Sequence, residues 1–278
     1  PAGLFQKSGW HFYQTTRRVN MKKERNSKLG YAKNGWLYKE KTAGYIFSAP
    51  FIFGFLFFVI VPVATSLYYA FCNYNILKPA RWVGLKNFVD IFQDPTFYKA
   101  LGVTLKFAFI SVPLKLVFAL IVALILLKGT KLTPFYRAAY YLPSILGSSV
   151  AVAILWKRMF AVDGLVNKLL GIQFAWLGST TAALWVIILL AVWQFGSSML
   201  IFLSAMKQIP PELYEAARVD GAGGIYSFFR ITLPLLTPTI FFNLVMQLIN
   251  GFMVFAQGQI ITDGKPMNST LVYVLYMY

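Results

Sequence analysis

Apolar residues run along this chain in long unbroken blocks, not at helical or alternating spacing. The blocks cover Ala43–Phe71, Leu101–Leu127, Ala138–Trp156, Ala182–Ala205 and Leu233–Gln257, and a sixth opens near Ser269 and reaches Tyr278. A helix that crosses a bilayer needs about 20 mainly apolar residues, and the first five blocks approach or exceed that length. The sixth reaches about half of it and is read as a helix truncated in this sequence. No Asp, Glu, Lys or Arg interrupts the first, third, fourth or fifth block. Lipid offers the backbone no hydrogen-bond partner, so spanning segments are helices or closed barrels. Blocks this continuous lack the alternation of a barrel strand. The expectation is an all-α integral membrane protein, with a tail over residues 1–42 and one six-helix transmembrane domain over 43–278. Between the blocks, the region Asn73–Tyr98 reads as a compact outer loop, with Gly84, Asp94 and Pro95 supplying turn chemistry. Pro50, Pro62, Pro113, Pro143, Pro234 and Pro238 lie in or beside the helices, where each removes a backbone bond and can kink its helix.

Composition supports the membrane reading. Of 278 residues, 58% are hydrophobic and only 13% charged, against about 25% charged in a soluble domain. The net charge of +17 would suit nucleic acid, but its distribution favours topology. Ten of the 26 basic residues precede Thr42, and basic residues beside a first span mark the cytoplasmic side. An inside N-terminus puts the 128–137 and 206–230 loops in the cytoplasm too, with sixteen Lys and Arg inside and eight outside. Without the tail the comparison is six against eight, so the tail decides it. Membrane lipid is therefore the expected partner of this charge, and nucleic acid is not. Trp82 and Trp176 fall in outer loops near helix ends, where interfacial tryptophans are expected. The single Cys72 leaves no internal disulfide, no Cys/His cluster exists, and the single His11 lies in the basic tail, where a solvated or lipid-facing role is expected rather than catalysis.

The segment Glu212–Pro238 is denser in signals than any other. Pro210 and Pro211 end the fourth block and can open a new helix, because proline is tolerated in a first turn. Glu212 then lies near the positive end of that helix, and PELYEAARVD forms one short helix. Gly221, Gly223 and Gly224 follow and allow a sharp reversal with positive φ. IYSFFRIT makes a second short helix leading into the fifth block. Arg218, three residues after Glu215 and two before Asp220, can form a local surface pair worth about 0–1 kcal/mol. The small residues Ala216, Ala217, Gly221 and Ala222 equally suit a helix laid into a partner's groove.

This segment resembles the signature loop of permease subunits in bacterial ATP-binding-cassette importers. That pattern is EAA, then Gly four residues on, then I-x-LP. It falls here on Glu215, Ala216, Ala217, Gly221, Ile231, Leu233 and Pro234. The form EAAxxDGA, with Asp220 and Ala222, is similar to the carbohydrate branch, the maltose-type and glycerol-phosphate-type permeases. A WVGLKNF segment, Trp82–Phe88, matches the first outer loop of such proteins. The resemblance implies a six-helix importer-type transmembrane domain in the bacterial inner membrane, multi-pass, with a cytoplasmic N-terminus. It implies a coupling loop over 206–230, with Glu212, Glu215, Ala216, Ala217, Arg218, Asp220, Gly221 and Ala222 meeting an ATPase. Glu215 would pair with a basic residue there, and Gly221 would permit the turn. The implied partners are two cytosolic ATPase subunits, a second permease expected to be a different chain, and an extracytoplasmic substrate-binding protein. The chain carries no GxxxxGK[ST] phosphate loop, so it is not read as an enzyme and binds no cofactor itself. ATP and Mg belong to the partner.

Sugars need hydrogen-bond partners and flat apolar faces. Asn243, Gln247 and Asn250 are spaced by four and three residues, which places them on one helix face, with Gln257 two turns along. Trp193 and Gln194 are candidates in the fourth block. These amides can line a substrate pathway or join helices to one another. Lys115 lies mid-block, where a charge costs at least about 2.5–3.5 kcal/mol. It can meet an anionic sugar acid or phosphate, a partner permease or a backbone carbonyl. An amino-acid or peptide importer is the nearest alternative. An ion-coupled transporter would place carboxylates or histidines within the membrane, and the blocks hold none.

Overall fold

The computed structural model describes residues 40–75 and 77–278. Most of the basic tail, residues 1–39, lies outside the described residues, so the orientation argument built on it does too. Two compact units divide the chain between Asp90 and Ile91.

The first unit is one span and a hairpin. Helix α1 (Glu40–Phe55) passes through a π turn at Leu56–Ile60 into α2 (Val61–Ala70). The π turn ends two residues before Pro62. Proline has no N–H, and its ring crowds the carbonyl four residues back. The ladder widens there, and the Val61 N–H reaches Leu56 O instead. Large apolar side chains such as Phe47, Phe51 and Phe58 stand exposed along the span, the surface that lipid or another membrane protein covers. Two antiparallel strands follow, β1 (Cys72–Asn75) and β2 (Lys78–Trp82), a small departure from the all-α expectation. Asn87 Nδ2 donates to Ala70 O and Cys72 O at 2.9 and 3.0 Å, which anchors the hairpin to the end of α2. Trp82 stacks on Phe71 at 5.4 Å. Helix α3 (Lys86–Gln93) comes next.

The second unit is built around α4 (Pro95–Leu127), a helix of 33 residues. It begins six residues before the apolar block. The Asp94 side chain accepts from the Thr96 N–H at 2.8 Å and Pro95 fills the first turn, a strong N-cap. Its buried positions recur every three or four residues, through Ala108, Val112, Ala119 and Ala123. The helix Leu233–Phe252 lies close enough along this stripe that a Cβ at Gly251 would stand 3.4 Å from Ala108 Cβ. Small residues at such crossings let membrane helices approach.

The third and fourth blocks are not single helices. Where one helix over 138–156 was expected, α5 (Thr133–Leu146) and α6 (Val150–Met159) meet at 98°. Ser149 caps the second of them, accepting from the Val152 N–H at 3.3 Å. The block 182–205 divides into α8 (Ala182–Trp193) and α9 (Gly196–Met206), bent by 41°. Ser144 of α5 holds that break. Its Oγ donates to Gln194 O at 3.0 Å and accepts from the Ser197 N–H at 2.9 Å, replacing ladder bonds lost at the bend. The short α7 (Leu165–Leu170) lies between the two pairs.

The fifth block is part of one continuous helical stretch, Gly224–Phe252. It comprises α11 (Gly224–Ser227), a π turn at Phe228–Thr232 and α12 (Leu233–Phe252). This second π turn again lies ahead of a proline, Pro234, and the Leu233 N–H bonds Phe228 O. The stretch ends at Phe252, not Gln257; a bend at 253–255 turns the chain into α13 (Ala256–Ile261). In the sixth block only α14 (Tyr273–Met277) is helical. Its Tyr273 N–H is received by Thr104 Oγ1 at 2.7 Å. Among the described residues three helices are long and apolar enough to cross a membrane, and five if each bent pair crosses as one span.

Two apolar clusters lie along α4. One gathers Leu116, Ala119 and Ala123 with Met199, Phe202 and Leu236. The other gathers Phe107 with Ile187, Leu190, Ala153 and Ile261. A polar gap lies where they meet.

Candidate functional site

Two features of the second unit carry chemistry, an exposed elbow and a polar cavity. The elbow is α10 (Pro211–Val219), a turn, and α11. Pro210 and Pro211 open α10 and Glu212 lies in its first turn, as the local signals predict. Gly221 has φ +77°, in the left-handed region that only glycine adopts without cost. Gly223 and Gly224 were expected to share that role. Gly223 instead has φ −74° and begins α11 from an extended conformation, so one positive-φ residue suffices for the reversal.

Glu212, Glu215, Ala216, Arg218, Asp220 and Gly221 are exposed, and Ala217 and Ala222 are half-buried. The local pair expected of Arg218 does not form. Among the described residues the one ion pair is Lys265–Asp263 at 3.7 Å. Arg218 instead borders a cleft of about 720 Å³ between the elbow and the end of α4, with Leu124, Lys128, Ile225 and Phe228 in its wall. Apolar side chains also stand in the open, Val219 at 89% and Ile225 at 80% exposure. A short helix with two adjacent alanines, a projecting carboxylate and bare apolar tips suits docking into a groove.

The cavity holds about 610 Å³ and is lined by residues of α4, α5, α8, α9, α12 and α13 and of the breaks between them. Lys115, Gln194, Gln247, Asn250 and Gln257 all line it. Lys115 Nζ donates to Gln247 Oε1 at 2.9 Å, and Gln247 Nε2 donates to Ser198 Oγ at 3.2 Å. Gln194 Nε2 donates to Leu190 O and Gln257 Nε2 to Gly147 O, at 3.1 and 3.0 Å. Two predicted residues stay outside the cavity lining. Asn243 is 1% exposed and donates to Thr239 O at 3.1 Å within its own helix. Trp193 packs on Trp156 with ring centroids 5.7 Å apart. The face expected to carry three amides therefore presents two. Asn243 shares that face but lies one to two turns from the other two along the axis, roughly 6–10 Å, where it is buried among packed helices.

Sequence reasoning missed Ser111, Ser144, Ser148 and Ser197, which also line the cavity. The available signal was small polar residues beside helix breaks, but the breaks were not foreseen. Trp176 Nε1 donates to Asn167 Oδ1 at 2.7 Å.

Residues 45–278 match the family described as binding-protein-dependent transport system inner membrane component. The probable ABC transporter permease protein YesP of Bacillus subtilis (strain 168) is 49% identical over 248 residues, covering 86% of this chain and 80% of that protein. The arabinooligosaccharides transport system permease protein AraP of the same organism is 32% identical over 258 residues, covering 88% and 81%. A chain of the crystal structure of a bacterial alginate ABC transporter, in complex with an alginate pentasaccharide-bound periplasmic protein, superposes with a TM-score of 0.74. It is 24% identical, with 88% of this chain and 85% of that chain covered, which speaks to the fold.

Proposed function

The chain belongs to the family of binding-protein-dependent transport system inner membrane components, and on that premise we propose that it is a pathway-forming permease subunit of an ATP-driven importer of sugars or oligosaccharides. It works by alternating access. An extracytoplasmic binding protein hands cargo to the outer face. Two cytosolic ATPase subunits, which hold ATP and Mg, drive the helices between inward-open and outward-open forms. A second permease, a different chain, completes the pathway. The N-terminus is cytoplasmic, on the same side as the elbow.

The single observation that carries this reading is the elbow. It is a mostly exposed helix with the small residues Ala216 and Ala217, Glu215 projecting and a left-handed Gly221 turn, leading into α11 at the base of a long span. A force on α10 has a rigid route into α12. The names of the relatives support the cargo class, as AraP is named for arabinooligosaccharides. The cavity supports it too, because amide and hydroxyl groups beside aromatic walls suit a polyol with apolar ring faces. Family membership leaves no support for an ion-coupled transporter.

Replacing Glu215 by Ala and Gly221 by Val tests the reading. ATP-dependent sugar uptake by the complete transporter is expected to disappear, while the chain remains in the membrane with its partner permease. Uptake at the original rate in both variants would refute the coupling role.

A further inference from the structure

We infer that the cavity is built for an anionic saccharide, one carrying a carboxylate such as a uronic acid, and that Lys115 is the residue that binds it. The inference rests on the importer reading above and names its cargo more narrowly.

Lys115 is the one charged group among the described residues that line the cavity. A cation within a span is costly and is retained where a wet cavity or a counter-charge receives it. Among the described residues no carboxylate lines the cavity beside it. Its neighbours offer only partial compensation. Nζ has three hydrogens to donate, and Gln247 Oε1 takes one at 2.9 Å. Gln247 is turned that way because its Nε2 is engaged with Ser198 Oγ. The ammonium is thus held in place with donors to spare, facing a volume of about 610 Å³, within the range of small-ligand sites.

The rest of the wall is uncharged. The amide nitrogens of Gln194 and Gln257 each place one N–H on a backbone carbonyl, of Leu190 and Gly147, and keep a second. Their oxygens remain as acceptors for the hydroxyls of a sugar. Phe107 and Phe255 supply apolar faces. One cation among neutral amides and hydroxyls matches a polyhydroxylated ring with a single negative charge. A phosphate monoester carries about two charges at neutral pH and would leave one uncompensated.

The test uses the complete transporter, with its ATPase, second permease and binding protein, reconstituted in proteoliposomes. The probes are di- and trisaccharides of galacturonate, glucuronate and mannuronate, the same oligosaccharides carboxyl-reduced to neutral sugars, and hexose 1-phosphates. Uptake is compared for the original chain, Lys115→Met and Lys115→Arg. At least one uronate is expected to enter in preference to its reduced form. Lys115→Met should weaken uronate uptake about ten- to a hundredfold, the size of one lost charge-assisted hydrogen bond, and Lys115→Arg should restore much of it. Neutral sugars taken up equally by the original chain and Lys115→Met, with uronates excluded, would overturn the inference while leaving the importer reading intact. Equal losses for neutral and uronate sugars would assign Lys115 a structural role and overturn it too. Phosphate uptake that depends on Lys115 without uronate uptake would overturn the carboxylate assignment. No ATP-dependent uptake of any saccharide would defeat the importer reading itself, and this inference with it.

Discussion

The hydroxyls of Tyr214 and Thr232 meet at 2.8 Å. This bond joins α10 to the last residue of the π turn below α12, so the elbow is tied to the span at a second point besides the covalent chain. Thr232 is buried and Tyr214 half-buried, which shields the bond from competing water. Tyr214→Phe leaves the Thr232 hydroxyl without this partner, at a cost of about 1–3 kcal/mol. Sugar moved per ATP hydrolysed should fall while the ATPase stays attached. Simultaneous assay of uptake and phosphate release checks this; an unchanged ratio would show that the bond transmits nothing.

Gly196 lies at the closest approach of α9 to α5. A Cβ there would stand 2.1 Å from Tyr140 O, and a backbone carbonyl inside a helix has no room to step aside. Gly196→Ala should destabilise the protein by about 1–3 kcal/mol or more, as overpacking does. Gly223→Ala, whose new methyl would meet open space, should be close to neutral. Thermal unfolding of the purified assembly compares the two. Equal midpoints would contradict the predicted difference in packing.

Asp94 caps α4 and is tied to α14. Tyr276 Oη donates to its Oδ2 at 2.6 Å, and the Thr96 N–H to its Oδ1 at 2.8 Å. The Tyr276 bond first, and the Thr96 bond second, hold the Asp94 carboxyl below its ordinary pKa. A depressed folded value means that the stabilisation is complete above the unfolded value of about 3.9. It is lost as pH falls through the lower folded value. Tyr276→Phe should therefore lower the unfolding temperature at neutral pH, and the gap should narrow only in acid, below about pH 4. A gap of the same size at both pH values would rule out an ionised Asp94 as the acceptor.

Asn243 and the pair Gln247 and Asn250 should separate in mutagenesis although they share a helix. Asn243→Ala removes a buried intrahelical bond and should reduce stability with little effect on cargo affinity. Gln247→Ala and Asn250→Ala alter the cavity wall and should raise the KM for uptake about two- to tenfold, the equivalent of one hydrogen bond each. Uptake kinetics beside thermal unfolding resolve the two classes. A KM change confined to Asn243→Ala would reverse the assignment.

Some of this architecture is decided locally and is therefore legible in the chain. Apolar blocks of about 20 residues enter lipid whatever they later pack against, which is why the membrane class could be read. The elbow is equally local. Pro211, Glu212 and Gly221 act through caps and backbone angles within a few residues, and α10 and its turn form where the chain predicts them. Which side of a helix faces inward was not legible. Around α4 the buried Val112, Leu116 and Ala123 differ little in polarity from the exposed Leu114, Val117 and Ile125. Water would have forced a polar outer face, and lipid does not. The breaks in the third and fourth blocks were hidden for a related reason. Ser144 satisfies the backbone near Gln194 from fifty residues away, so no local signal marks the bend. The cavity follows from those breaks. Lys115 of α4 meets Gln247 of α12, and Gln257 reaches Gly147 O between α5 and α6, only once the bent pairs have packed. Hydropathy alone decided that these segments enter the membrane; long-range hydrogen bonds and close helix crossings decided where they leave a polar space between them.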